Sequence, residues 1–191
     1  MKKGTFFIKN ILNASFITMA FVFLLAACQE EMPVLDNTRI TEAEIVEFQK
    51  GYGISIVAIG NTYRNGGDFE LAASNHIQKY YGFDDGKVLF KPTFAEDEPV
   101  RTTFEGALSF FIGENESYPT DEGFALTRWT QVKWKNAGII NDENIAIAMG
   151  RTTYIDEDDN ELVKDYTMCF KKDANGKLHL IAHKASPVRE S

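Results

Sequence analysis

After Gly123 the apolar period of this chain changes from 3.6 residues to 2, and that switch limits the folds open to it. Upstream, apolar side chains recur in steps of three and four. Downstream they alternate. Helices gathered in one half and strands in the other predict an α+β domain, in which about three helices pack on a curved antiparallel sheet.

The helical half divides at its turn signals. Thr41 suits an N-cap, and Glu42 and Glu44 follow in the first turn, where carboxylates complement the helix dipole. Ile45, Phe48, Tyr52, Ile56, Ile59 and Tyr63 then share one face. Gly51, Gly53 and Gly60 weaken this helix and predict a break near 51–53. "NGGD" at 65–68 stops it. A second helix carries Phe69, Ala72, Ala73, His76, Ile77 and Tyr80 on one face, and "DDG" at 84–86 turns the chain into a short strand at 87–93. Thr102 and Glu105 have the spacing of a capping box and open a third helix, which Gly113 closes. Four strands follow at about 124–139, 145–155, 162–171 and 177–186, with turns at "NDEN", "DEDDN" and "DANG".

Residues 1–27 read as a signal peptide. Lys2, Lys3 and Lys9 precede an apolar run that ends in "LAAC", which resembles a bacterial lipobox. That resemblance implies cleavage before Cys28 and lipidation of its sulfur. Residues 28–40 then form a tether of roughly 40 Å when extended, and 41–191 form a single domain. The expected location is the bacterial cell envelope, lipid-anchored and facing the periplasm or the surface, with membrane contact only through the lipid. Of two cysteines, Cys169 is left alone, so the mature chain has no internal disulfide. A net charge of -8 without a basic cluster argues against a nucleic-acid partner.

The candidate chemistry is sparse. On a strand His179 and His183, two of three histidines, share a face but stand about 13 Å apart at roughly 3.3 Å per residue. Zinc cannot bridge that gap, and no metal or other cofactor is expected. "DEDDN" spaces Asp156, Asp158 and Asn160 like the start of a calcium loop. Glu161 and Thr167 stand where that loop needs glycine and glutamate, so it reads as a solvated turn. His76 is either a satisfied core residue or a group aimed at a pocket, and His183 leaves the same two options. By parity Trp129 and Trp134 face opposite ways.

Segments in order, "GISIVAIGNTYRNGGDFELAASNHI", "VLFKPT", "EGALSFFIG", "YPTDEGFAL", "NAGII", "AIAMG", "DANGKLHL" and "HKAS", resemble the iota-class carbonic anhydrases across about residues 53–186. The resemblance implies the cone-shaped fold of nuclear transport factor two and the cystatin-like proteins. It also implies reversible hydration of CO2 to bicarbonate, without metal in some members. Such members resemble one another in a pocket of threonine, tyrosine, histidine and serine. The threonine corresponds to Thr93 and the histidine to His183. Phe110 stands in the tyrosine's place and Ala185 in the serine's, so Tyr118 or Ser186 would have to substitute, and His76 could reach the same pocket. The alternative partner is a small apolar or carboxylate ligand held without turnover, and the fold resemblance implies pairing into a homodimer. Relatives often carry the name phosphoribosyl-AMP cyclohydrolase, but true cyclohydrolases resemble cysteine-rich zinc enzymes, unlike this chain.

Overall fold

A computed structural model describes residues 39–96 and 98–188; the expected signal peptide, the lipidated Cys28 and the tether up to residue 38 lie outside the described residues. The elements run α1 (Glu42–Arg64), α2 (Phe69–Tyr80), β1 (Leu89–Lys91), α3 (Phe104–Ile112), β2 (Trp129–Asp142), β3 (Ile145–Asp156), β4 (Glu161–Lys172) and β5 (Leu178–Pro187). Their order in the sheet is β1-β5-β4-β3-β2. All neighbours are antiparallel except β1, which adds a parallel edge strand to the expected meander.

Thr41 caps α1 as expected. Its hydroxyl accepts from the Glu44 N–H at 3.3 Å, and the Glu44 carboxylate accepts from the Thr41 N–H at 2.7 Å. The expected break at 51–53 is absent, and α1 is continuous. Its glycines serve close approach instead: a Cβ on Gly53 would lie 2.8 Å from the Val132 Cβ, and one on Gly60 would lie 2.8 Å from the Ala125 carbonyl oxygen. The helix propensity lost there is recovered by packing α1 directly on β2. Gln49, buried in the same contact, exchanges hydrogen bonds with Asn136 and donates to the Tyr166 hydroxyl at 3.0 Å.

Two boundaries differ from expectation. The cap of α3 is Thr103, not Thr102, since its hydroxyl accepts from the Gly106 N–H at 3.1 Å. The stretch 124–126, expected to be strand, is a 3-10 turn; Gly123, at φ 79°, bends the chain there before β2 begins.

Inward residues alternate along the strands: Ala146, Ala148, Thr152 and Tyr154 on β3, then Lys164, Tyr166, Met168 and Phe170 on β4. Bulges break this parity in β2 and β5. The pairing shifts at Thr130, so Trp129 and Trp134 both reach the core and do not face opposite ways. It shifts again at Ile181: Leu180 and His183 both point inward, while His179 lies on the other face. The two histidines therefore do not share a face. The core between helices and sheet is largely aromatic, with Tyr52, Tyr80, Tyr81, Phe90, Phe110 and Phe111 at its centre.

Candidate functional site

Three parts of the fold bring buried polar side chains together. α1 supplies Tyr52, α2 supplies His76 and, as its C-cap, Tyr81, and β5 supplies His183. Thr93, in the segment after β1, is also buried. His183 is 5% exposed. The parallel pairing of β1 with β5 sets Phe90 opposite His183, and the two rings stack at 5.5 Å between centroids.

His183 Nδ1 lies 2.9 Å from the Tyr81 hydroxyl, which lies 2.9 Å from the Tyr52 hydroxyl. Two phenols in series thus end on one imidazole nitrogen. When Nδ1–H donates to Tyr81 and Tyr81 donates to Tyr52, Nε2 carries the lone pair; reversing the chain puts the proton on Nε2. Nε2 has no hydrogen-bond partner among the described residues.

His76 lies against Tyr52, Tyr80 and Phe111, with ring centroids 4.5, 4.9 and 5.0 Å away. Among the described residues neither of its nitrogens has a hydrogen-bond partner, and the same holds for the Thr93 hydroxyl and the Trp134 indole N–H, all buried. Each such atom costs about 1–3 kcal/mol; Arg101 Nε and Nη1 and His179 Nδ1, away from this cluster, share the condition.

The electrostatics follow from burial. It pushes His183 from 6.5 down to about 3, with a further contribution from the Lys164 charge. His76 is likewise pushed down to about 3 by burial, then by His183 and Lys79. Both rings are therefore neutral near pH 7. Burial raises Tyr52 and Tyr81 well above the ordinary phenol range, so both keep their protons.

The other residues expected at the site divide. Phe110 sits between Phe90 and Phe124, at 5.4 and 5.2 Å. Ala185 pairs with Tyr166 and faces inward, two residues beyond His183. Ser186 pairs with Asp165 and lines a shallow hollow of about 540 Å³ with Lys135, Met149 and Arg151 on the opposite face. Tyr118 stacks on the Arg101 guanidinium at 3.8 Å, and its hydroxyl reaches Glu98 at 3.5 Å. That guanidinium donates to Asp121, which also accepts from the Ser109 hydroxyl. Ser186 and Tyr118 are thus not brought to His183.

His179 Nε2 lies 3.4 Å from Asp173 and 3.9 Å from Asp85. The ligand atoms of these three residues lie within 4.8 Å of one another and could hold a metal ion, on the face away from His183. Their acids come from the "DDG" and "DANG" turns, which read as turns only.

Tyr52, Tyr81 and Lys164 were not singled out from the sequence. A signal for Lys164 was present, because it shares parity with Tyr166, Met168 and Phe170. Tyr81 had none, since the residue after a helix end has no periodic face.

A family model for metal-independent carbonic anhydrase matches residues 43–187. The chain belongs to the metal-independent carbonic anhydrase family. A metal-independent carbonic anhydrase of Nostoc sp. (strain PCC 7120 / SAG 25.82 / UTEX 2576) is 40% identical over 153 residues, covering 78% of this chain and 75% of the relative. The crystal structure of an iota-carbonic anhydrase from a cyanobacterium, complexed with bicarbonate, overlays with a TM-score of 0.80 at 39% identity, covering 84% of this chain and 99% of that one. A chain from Xanthomonas campestris, proposed to be a calcium/calmodulin dependent protein kinase II association domain, overlays at 0.54 with 16% identity over 80% of this chain and 91% of its own, a likeness of fold alone. The segment matched to the metal-independent carbonic anhydrase family includes Tyr52, Tyr81, Thr93 and His183.

Proposed function

We propose that this chain catalyses the reversible hydration of CO2 to bicarbonate in the interior between sheet and helices, held at the bacterial cell envelope by lipid on Cys28. The observation that carries the catalytic part is the buried Tyr52–Tyr81–His183 chain, which leaves Nε2 without a partner. Family membership supplies the substrate.

In this reading the apolar rings around the site receive CO2, and His183 Nε2 orients a water molecule. The water oxygen bonds to carbon, one C=O bond opens to place negative charge on oxygen, and a water proton passes to Nε2. An imidazole pushed down to about 3 holds that proton poorly in the resting protein. Bicarbonate forming beside it supplies the opposite charge that makes imidazolium tolerable. The proton then leaves to solvent, and the Thr93 hydroxyl offers the new anion a hydrogen bond.

Stopped-flow CO2 hydration, with and without chelator, tests this. His183→Ala is expected to lose roughly 100-fold or more in kcat/KM with its fold intact, in both conditions. Parent-level turnover in that variant removes His183 from the reaction.

Phe110 and Ala185 favour a second reading, a non-enzymatic binder of a small apolar or carboxylate molecule, because they line the interior without hydroxyls. It predicts a co-purifying ligand and no turnover. Pairing of two copies would use the exposed Ile140, Ile147 and Met149 on β2 and β3.

A further inference from the structure

Lys164 lies on the inward face of β4 and is 3% exposed. A lysine so buried ordinarily holds a carboxylate. The other cations buried among the described residues do: Arg101 binds Asp121 at 3.0 Å, and Lys172 binds Glu44 at 2.8 Å and donates to the Arg39 carbonyl at 2.8 Å. Lys164 has neither an ion-pair partner nor a hydrogen-bond acceptor among the described residues. Its Nζ stands over three rings instead, those of Phe124 at 3.6 Å, Tyr154 at 4.9 Å and Phe94 at 5.6 Å. Ring faces attract a cation but leave its three N–H donors unused.

Two of those rings adjoin residues already described. Phe94 follows Thr93 in the chain. Phe124 stacks on Phe110, which packs edge-on against Phe90, the ring that carries His183. The charge of Lys164 is also felt at His183. An ammonium with free donors and an imidazole with a free nitrogen therefore face the same side of the sheet, joined by this run of rings.

We propose that Lys164 is the anion-holding residue of this interior, its ammonium binding an oxygen of bicarbonate or of a similarly small planar oxyanion. The identity of the anion rests on the CO2-hydration reading. In the hydration direction the same contact meets negative charge as it forms on the CO2 oxygen. Burial pushes the amine from 10.5 down to about 7, and an arriving anion favours its charged form. The inference also orders the binding alternatives, since a carboxylate ligand suits an unpaired ammonium and an apolar one does not.

The test titrates the purified full chain with 13C-labelled bicarbonate and reads binding by NMR line broadening. Lys164→Met retains the stem that covers Phe124, and Lys164→Gln is a second neutral variant. Both are expected to bind bicarbonate about tenfold or more weakly than the parent, with thermal midpoints no lower than the parent's. Lys164→Arg, which keeps the charge, is expected to retain more binding than either. Unchanged binding in a folded neutral variant overturns the proposal, as does a parent that binds no bicarbonate. CO2 hydration measured on the same samples separates the two readings. A parent that binds through Lys164 without turnover ends the enzymatic reading and leaves this one. A parent that turns over, with binding unchanged in the variants, does the reverse.

Discussion

Tyr81 is the residue on which the site turns, because one hydroxyl touches both Tyr52 and His183. Its phenol keeps its proton, and its hydroxyl hydrogen-bonds the imidazole in either tautomer. Tyr81→Phe keeps the ring contacts with Phe90 and Phe111 and removes only the hydroxyl. The expected result is a fall in kcat/KM on the order of tenfold, the worth of one net hydrogen bond, with KM little changed. A fall equal to that of His183→Ala would instead mean that the variant displaces the imidazole. No sequence pattern pointed to this tyrosine. His183 and Thr93 were legible only through resemblance, since an isolated histidine on a strand and a threonine after Pro92 carry no signal of their own.

At the level of elements, alternation and helical stripes located α1, α2, α3 and the four long strands to within a few residues, apart from the start of β2. They misplaced what bulges and backbone contacts decide. Period 2 holds only while pairing is regular, so Thr130 and Ile181 each invert the face assigned to one neighbouring side chain, Trp129 and His179. Glycine in a helix scores as a weakness, yet Gly53 sits where another residue's Cβ would strike Val132. Gly150 makes the same point in the sheet. It faces the shifted pairing between Asn136 and Gly138, and a Cβ there would strike the Lys135 carbonyl oxygen. Gly150→Ala is accordingly expected to destabilise by about 1–3 kcal/mol, read as a lower urea midpoint. Parent-like stability would show that the β2 bulge yields without penalty.

For the molecule as a whole, two neutral imidazoles in the core tie stability to pH. His76 and His183 have folded-state values near 3 against an ordinary 6.5. The unfolded chain protonates first, so this contribution is fully present above 6.5 and is lost as pH falls from there towards 3. Each group contributes up to about 1.4 kcal/mol per pH unit in that window. His76→Phe is expected to flatten the decline measured by urea unfolding between pH 6 and 4; an unaltered slope would mean that His76 does not remain neutral in the fold. The place of β5 in the sheet has a further consequence. The strand bearing His183 follows the other described strands in the chain, yet it is zipped between β1, near residue 90, and β4. The folding chain must therefore keep a slot open between two partners far apart in sequence until β5 arrives. The polypeptide acquires the buried His183 ring and its complete sheet together, when this strand docks.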